Sequence, residues 1–210
     1  GYKHYSNRVV SNFLEKSAEN GIEIFRTFDA LNDFENIDFT IREVKRIGKH
    51  AQGTIAYTTS PVHDLNTWLD LAKKIEDAGA DSLAIKDMAG LLRPFDAYEL
   101  VKNLKSTLSI PIHMQTHATT GMSTATNMKA IEAGIDNIDT SISSLSMTYG
   151  HTATETMLAI FENEEREINL DLSALEEVST FFKEIRDKYS EFEGNLKGVD
   201  SSMLVKQVPG

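Results

Sequence analysis

The stretch Ala78-Gly79-Ala80-Asp81-Ser82-Leu83-Ala84-Ile85-Lys86-Asp87 joins the end of a predicted helix to a short apolar strand. Glycine is the usual residue just past a helix C-terminus, because it adopts a positive φ without steric cost. A glycine in the same position, after a helix and before a strand, occurs in Asn20-Gly21-Ile22-Glu23 and in Ala133-Gly134-Ile135-Asp136. The sequence therefore predicts a repeated unit in which a strand follows closely after a helix.

Five short apolar runs are predicted to be strands. They are Ile22–Thr27, Gly53–Thr58, Ser82–Lys86, Ile110–Thr116 and Asn137–Ile142. The stretches between them repeat apolar residues three and four apart, as in Trp68, Leu71, Ala72 and Ile75, which is the spacing of an amphipathic helix. Strands that alternate with helices in this way predict a parallel sheet.

Two parallel architectures fit the alternation, the closed barrel and the doubly wound sheet. No Gly-x-Gly-x-x-Gly follows any of the predicted strands, which disfavours a dinucleotide-binding doubly wound sheet. Polar residues gather where the strands end, and that edge is the active-site face of a barrel. We therefore predict an α/β fold, a partial (β/α)8 TIM barrel in which five of the eight strands are present.

The alternation stops after about Asn163. One long amphipathic helix with charged outer faces is marked by Leu172, Leu175, Val178, Phe181, Phe182, Ile185, Tyr189 and Phe192. We expect residues 1–163 to form the C-terminal portion of a barrel domain. Residues 164–210 are expected to begin a helical appendage that packs on it.

Composition excludes several classes of protein. The net charge of −11 argues against nucleic-acid binding, which needs a basic surface. The chain has no cysteine, so disulfides and thiolate metal sites are excluded. No apolar run approaches the ~20 residues of a membrane-spanning helix, and the first residues do not resemble a signal peptide. These features predict a cytoplasmic protein.

The predicted strand that contains His113, Gln115 and His117 carries these three side chains on one face, since alternate residues of a strand point the same way. Two histidines there suit a Zn²⁺ or Mn²⁺ ion with open positions for substrate, although glutamine is a poor ligand. The alternative is that the three side chains only pair with neighbours at a barrel mouth.

Lys86 ends an apolar predicted strand, and two roles are common for a partly buried lysine in such a position. It forms a salt bridge, here with Asp87 or Asp139, or it reacts as a nucleophile, a Schiff base or a carbamate. The sequence leaves both interpretations open.

Arg26 lies between aromatic residues on the first predicted strand. A guanidinium at a barrel mouth binds a substrate carboxylate through two N–H groups, or it forms an ion pair, here with Asp29 or Asp33.

Thr119-Thr120-Gly121 follows the histidine strand and predicts either an oxyanion-binding loop or a helix cap at Ser123 or Thr124. His151 is interpreted as a loop residue.

Together these stretches resemble the carboxyltransferase domain shared by oxaloacetate decarboxylase α subunits, transcarboxylase and pyruvate carboxylases, including those whose biotin-bearing subunit is a separate chain. The most specific string is Lys86-Asp87-Met88-Ala89-Gly90. The other matching segments are Gly1–Tyr5, Ile24–Asp33, Tyr57–His63, Ile85–Leu92, His117–Met122, Asp139–Ser144 and Gln207–Gly210.

The resemblance implies that the five strands are the fourth to the eighth of the barrel. It implies that Lys86 is a carbamylated, catalytic metal ligand, that His117 is a second ligand and that Arg26 binds the carboxylate of pyruvate or oxaloacetate. A metal-binding aspartate and a substrate-binding glutamine belong to the first three strands. A catalytic threonine is expected after the Pro-Gly-Gly motif, of which this chain contains Pro209-Gly210.

The implied activity is transfer of a carboxyl group between oxaloacetate or pyruvate and biotin on a separate carrier domain, with a divalent Zn²⁺ or Mn²⁺ ion. Oxaloacetate decarboxylase and pyruvate carboxylase both fit, so the direction of reaction stays open. The expected partners are the biotin carrier domain, a second copy in a homodimer and, for a decarboxylase, membrane subunits.

Gln115 departs from the family, which has His-x-His where this chain has Gln115-Thr116-His117. A neutral amide oxygen is a weaker ligand for Zn²⁺ than imidazole is. Three interpretations follow: a loosely held metal, replacement by His113, or an inactive copy that serves as a scaffold for a carrier or partner subunit. A related acyl-CoA lyase or synthase barrel is a further alternative, which the string at Lys86 disfavours.

Overall fold

The computed structural model describes residues 4–162, 168–195 and 197–206. Its strands are β1 (Ile24–Thr27), β2 (His50–Ala56), β3 (Ser82–Asp87), β4 (Ile112–Thr116) and β5 (Asn137–Ile138). Its α-helices are α1 (Asn7–Glu19), α2 (Phe34–Arg46), α3 (Leu65–Asp77), α4 (Pro94–Thr107), α5 (Ser123–Glu132), α6 (Thr154–Ile160), α7 (Leu172–Lys188) and α8 (Met203–Lys206). Short 3-10 helices cover Ser143–Leu145 and Ser190–Phe192.

The strands form one parallel sheet in the order β1-β2-β3-β4-β5, so each strand pairs with the next one along the chain. A doubly wound sheet reverses its strand order at a switch point, whereas a barrel adds its strands in sequence. The sheet is open, with β1 and β5 at its two edges. The prediction of a partial TIM barrel is confirmed.

The two faces of the sheet differ in polarity. One face packs against the helices through fully buried side chains such as Ile55, Leu83 and Met114, and α3 adds Trp68 and Ile75 to the same core. Side chains alternate between faces, so the intervening residues point to the other side, which corresponds to the barrel lumen. The lumen side carries the polar residues that the sequence singled out.

Glycine closes helices where the sequence predicts it. Gly79 and Gly134 have φ values of 96° and 93°, each just past the end of a helix. The aspartates before α2 and α3 act as N-caps, since Asp33 accepts a hydrogen bond from the Glu35 N–H at 3.1 Å and Asp64 accepts one from the Thr67 N–H at 2.8 Å. Caps and glycines together fix how each helix enters and leaves the sheet.

All five predicted strands need correction at an end: the third extends to Asp87, the fourth starts at Ile112 and not at Ile110, and the other three differ as follows. The first strand starts at Ile24 and not at Ile22, because the Ile22 N–H donates to the Ser17 carbonyl at 3.1 Å and completes the end of α1. The second covers His50–Ala56 and not Gly53–Thr58, because the His50 N–H already pairs with the Glu23 carbonyl at 3.0 Å.

The last strand ends at Ile138 and not at Ile142. Beyond it the backbone turns to pair with a later segment: the Ser141 N–H donates to the Thr152 carbonyl at 3.0 Å, and the Thr154 N–H donates to Ser141 at 2.8 Å. The prediction of a strand over residues 139–142 was therefore wrong: beyond Ile138 the chain makes only an isolated parallel bridge between Ser141 and Ala153, in the segment before α6.

The predicted long helix is α7, which ends at Lys188 and is followed by the 3-10 turn at Ser190–Phe192. Asp171 caps it by accepting from the Ser173 and Ala174 N–H groups. It packs on α6 and on the turn Ser143–Leu145. The proposed boundary at residues 163 and 164 and the segment 207–210 lie outside the described residues. Within the described ranges, every helix is too short or too polar to cross a bilayer.

Candidate active site at the barrel rim

A chain of hydrogen bonds crosses the lumen side of the sheet. The Arg26 Nε on β1 donates to Gln52 Oε1 on β2 at 2.5 Å, and the Gln52 amide donates to Ser82 Oγ on β3 at 3.0 Å. On the other side, the guanidinium reaches Asp139, just past β5, which also binds His113 on β4. Residues from β1 to β4 and the residue that follows β5 thus share one polar network.

Asp139 is the centre of that network. Its two carboxylate oxygens accept from Arg26 Nη1 at 2.5 Å and from His113 Nε2 at 2.5 Å. Burial alone raises the pKa of Asp139, but the hydrogen bonds from His113 and Arg26, together with electrostatic stabilisation by these neighbours, outweigh it and hold the pKa well below its usual range. The carboxylate therefore stays ionised and fixes the direction of the guanidinium.

Arg26 forms its ion pair with Asp139 and not with Asp29 or Asp33, the two partners considered from the sequence. Asp29 accepts from the Leu31 and Asp33 N–H groups instead, and Asp33 caps α2. Both carboxylates are used locally because they lie at the loop that begins a helix, whereas Asp139 faces Arg26 across the lumen. The second guanidinium nitrogen, Nη2, is 3.5 Å from Asp139, which leaves it the weaker protein contact.

Lys86 lies half-buried near the end of β3. Its Nζ donates to Gln115 Oε1 at 3.1 Å and lies 5.2 Å from the centre of the Phe28 ring. Burial lowers the pKa of Lys86, the charge of Arg26 lowers it further, and Asp139 acts in the opposite direction. A lysine with a lowered pKa has more of the neutral amine that reacts with electrophiles.

The salt bridge suggested for Lys86 is therefore not formed with either candidate. Within the described ranges, its hydrogen bond goes to Gln115, its cross-strand neighbour in the register of β3 and β4. Asp87 is turned to the opposite face and is fully buried. Asp139 is occupied by Arg26 and His113.

Asp87 instead holds the rim loop together. Its carboxylate accepts from the Leu91 N–H at 2.8 Å, the Leu92 N–H at 3.0 Å and Thr116 Oγ1 at 2.9 Å. These bonds tie the loop after β3 to the end of β4. Burial raises the pKa of Asp87, and the three hydrogen bonds oppose that rise. Because Asp87 directly follows Lys86, these bonds also fix the backbone at the end of β3.

Gly90 lets the same loop approach β4 closely. Its φ is 66°, and a Cβ on it would lie 2.7 Å from the His117 carbonyl oxygen. No side chain fits there without displacing the backbone. Thr120 Oγ1 completes the contact by donating to the Gly90 carbonyl at 2.5 Å.

His117 follows β4 and is half-buried. It lies close enough to Lys86 for the lysine charge to affect the pKa of the imidazole. Burial lowers the pKa of His117, a hydrogen bond to the Tyr149 carbonyl raises it, and the proximity of His151 and of the Lys86 ammonium lowers it. His117 Nδ1 lies 2.5 Å from that carbonyl oxygen. The ring is therefore neutral at pH 7, with Nε2 as its lone-pair nitrogen.

The helix cap considered at Ser123 or Thr124 is wrong. The N-cap of α5 is Met122, which has no side-chain cap. Ser123 Oγ pairs instead with Thr152 Oγ1 at 2.9 Å, because the segment before α6 lies directly against the start of α5.

The structure thus gathers Lys86, Gln115 and His117 at one rim and places Arg26 beside them through Asp139. His113 is directed to Asp139, two residues below the rim. Two contributors were missed: Gln52, which steadies Arg26, and His151, whose ring packs on His117 with centroids 4.8 Å apart. The polar residue at every second position of β2 was a signal for Gln52.

A divalent ion requires several oxygen or nitrogen ligands, at least one of them usually anionic. In the described part of the chain, no group of three or more His, Cys, Asp or Glu side chains is placed to hold a metal ion. The rim offers the His117 imidazole and the Gln115 amide oxygen beside Lys86. An ammonium repels a cation, whereas a carbamate on Lys86 supplies an anionic oxygen of the kind that hard divalent ions prefer. The residues fit an ion once Lys86 carries a carbamate.

The chain was found to be similar to known proteins. The family model described as HMGL-like matches residues 21–182. The chain is 47% identical to the methylmalonyl-CoA carboxyltransferase 5S subunit of Propionibacterium freudenreichii and 44% identical to a pyruvate carboxylase subunit of Methanocaldococcus jannaschii. All of the chain aligns with both, but it spans only 42% and 37% of their lengths.

A solved structure supports the same relationship. The carboxyl transferase domain of Rhizobium etli pyruvate carboxylase, in complex with pyruvate, superposes with a TM-score of 0.96 at 34% identity. The match covers 100% of this chain and 36% of that chain. The family resemblance drawn from the sequence is confirmed.

Proposed function

We propose, since the chain belongs to the HMGL-like family, that it forms the rim of a carboxyltransferase that moves a carboxyl group between oxaloacetate or pyruvate and carrier-bound biotin. The observation that carries this proposal is Lys86, a half-buried lysine of lowered pKa in contact with Gln115 and beside His117. Relatives named as carboxyltransferases and pyruvate carboxylases along the full chain support it.

Lys86 has the properties needed to form a carbamate. Its neutral amine adds to the carbon of CO₂ and releases one proton, which leaves a carboxylate-like anion on the nitrogen. Burial favours this step because it disfavours the ammonium. With the carbamate in place, Lys86, His117 Nε2 and Gln115 Oε1 would hold a Zn²⁺ or Mn²⁺ ion. A divalent ion there supplies charge stabilisation for the enolate that remains when the carboxyl group departs.

Arg26 binds the carboxylate of the keto acid in this proposal. Asp139 and Gln52 hold two of its three nitrogens, so the guanidinium is oriented before substrate arrives. A preorganised planar guanidinium recognises a carboxylate better than a mobile ammonium does. The weaker contact at Nη2 leaves donor capacity for substrate.

The biotin carrier domain is the proposed partner, and the protein is proposed to act as a cytoplasmic homodimer, with membrane subunits if it decarboxylates. These assignments rest on the resemblance. A second candidate function, a scaffold without catalysis, is favoured by one observation: Gln115 stands where the family has an imidazole ligand.

Substitution of Lys86 distinguishes a carboxyltransferase from a scaffold without catalysis. In the complete protein, Lys86→Ala should lower biotin-dependent formation of pyruvate from oxaloacetate by at least ~10³-fold, because it removes the anionic ligand. Lys74→Ala, at an exposed position on α3, is the matched control and should keep the wild-type rate. Metal content measured on the same samples completes the test. A scaffold contains no bound metal and shows no difference between the two variants.

A further inference from the structure

His151 lies against the proposed centre but has no part in the chemistry above. Its ring and that of His117 have centroids 4.8 Å apart and planes inclined by 55°. Both side chains are half-buried at the rim, one at the end of β4 and the other in the segment before α6. This contact raises the question of whether the two imidazoles share a ligand.

Crossed hydrogen bonds fix the direction of the two rings. His117 Nδ1 lies 2.5 Å from the Tyr149 carbonyl oxygen, and His151 Nδ1 lies 3.0 Å from the Thr116 carbonyl oxygen. A carbonyl only accepts, so each Nδ1 carries a hydrogen, and in a neutral ring with this tautomer Nε2 is the nitrogen with the lone pair. Between the described residues, neither Nε2 makes a hydrogen bond. A carbonyl on the far nitrogen is the usual support of a metal-bound histidine.

The backbone just before His151 adopts an unusual conformation. Met147 and Thr148 have φ values of 61° and 50°, in the left-handed region that non-glycine residues rarely adopt. The segment is tied to the loop after β4 by the Ala118 N–H, which donates to the Gly150 carbonyl at 2.9 Å. Strained backbone of this kind persists where surrounding contacts enforce it, and it clusters at functional sites.

The spacing of the rings agrees with a shared ion. Two imidazoles that bind one ion at ~2.1 Å per nitrogen place their ring centroids about 4.5–5.3 Å apart, for angles at the ion of about 90–110°. The observed 4.8 Å lies inside that interval. Gln115 offers only an amide oxygen, so the centre lacks the second imidazole that the family pattern supplies at that position.

We infer that His151 is a metal ligand, which together with His117 gives the centre its two imidazoles in place of a histidine at position 115. The inference rests on the proposed metal centre and adds a residue to it. It also explains how a chain with Gln115 retains a nitrogen-rich site.

The test uses the complete protein, stripped of metal and titrated with Mn²⁺ against a coloured chelator. His151→Asn removes the imidazole but keeps an amide donor for the Thr116 carbonyl, and His151→Gln does so with a longer side chain. His4→Asn, at an exposed position far along the chain, is the matched control. We expect affinity to fall at least ~10-fold in both His151 variants, the lower limit for losing a residue that supports a metal site, and to be unchanged in the control.

Pulsed EPR of bound Mn²⁺ distinguishes a ligand from a residue that only positions His117. The number of imidazole nitrogens coupled to the ion should fall by one in His151→Asn. An unchanged nitrogen count, or unchanged affinity, overturns the inference. Lys86→Ala tests the underlying proposal on the same titration: if it weakens Mn²⁺ binding while His151→Asn does not, the proposed centre stands and His151 is not a ligand. If neither variant weakens binding, the proposed centre itself fails.

Discussion

Replacement of Arg26 by lysine tests whether the guanidinium recognises substrate or only stiffens the rim. The charge is retained, and an ammonium at this position still forms the ion pair with Asp139, which Arg26 Nη1 makes at 2.5 Å. What disappears is the hydrogen bond from Nε to Gln52 and the planar pair of N–H groups that remains for a carboxylate. The fold should survive because the lumen keeps its charge balance.

The magnitude follows from the number of contacts that lysine cannot replace. A hydrogen bond that involves a charged group contributes about 1.5–3 kcal/mol. Loss of one such bond to the substrate carboxylate corresponds to a decrease of about 10- to 150-fold in kcat/KM, at ~1.4 kcal/mol per factor of ten. The side chain is 28% exposed, so the site is shielded enough for this value to apply without a large correction for solvent.

The assay measures kcat/KM for oxaloacetate with the complete protein at saturating biotin carrier. The KM for the carrier should change little, because Arg26 is assigned to the keto acid. Arg42→Lys is the control, since that arginine pairs with Asp38 on the outside of α2 and has a side chain that is 64% exposed. Equal kcat/KM values for wild type, Arg26→Lys and Arg42→Lys would refute the assignment and leave Arg26 as a structural ion pair.

Three further predictions concern the same rim. Asp87→Ala should lower the free energy of unfolding by about 3 kcal/mol or more in urea denaturation, because it leaves three donors without their acceptor at ~1–3 kcal/mol each; an unchanged midpoint contradicts this. Asp139, whose pKa is lowered in the fold, stabilises the protein above its unfolded pKa of ~3.9 and loses that contribution as pH falls, so Asp139→Asn should flatten the decline in stability below pH ~4. An equally steep decline in this variant counts against the network. Gln115→His should raise Zn²⁺ occupancy at limiting metal, since imidazole binds Zn²⁺ more tightly than an amide oxygen does; unchanged occupancy shows that residue 115 is not at the metal.

The fold was largely accessible from the sequence because its signals are local. Glycine after helices, aspartate caps and alternating apolar patterns act within a few residues, so the five strands were found with errors only at their ends, whereas the short helices α6 and α8 were not predicted. The errors arose where a distant partner decided the outcome. The last strand stops at Ile138 because Ser141 pairs with the segment at Thr152, and no local pattern records that pairing.

The site was accessible only in part, for the same reason. Strand alternation put His113, Gln115 and His117 on one face, and the position of Lys86 marked it as chemically interesting. Partners that come from remote segments were missed. Arg26 binds Asp139 rather than the nearer Asp29, a pairing across 113 positions that depends on the curvature of the sheet. His151 looked like an ordinary loop residue until the fold placed it on His117.

Transfer of a labelled carboxyl group tests the central claim most directly. The complete protein is mixed with biotin-bearing carrier and oxaloacetate labelled in the carboxyl group that is lost, and the label on biotin is compared with the pyruvate formed. We expect label on the biotin and pyruvate in equal amounts from the wild-type protein, and neither above background from Lys86→Ala. Pyruvate without label on the biotin, or a Lys86→Ala variant that transfers label at the wild-type rate, would contradict a carboxyltransferase centred on Lys86.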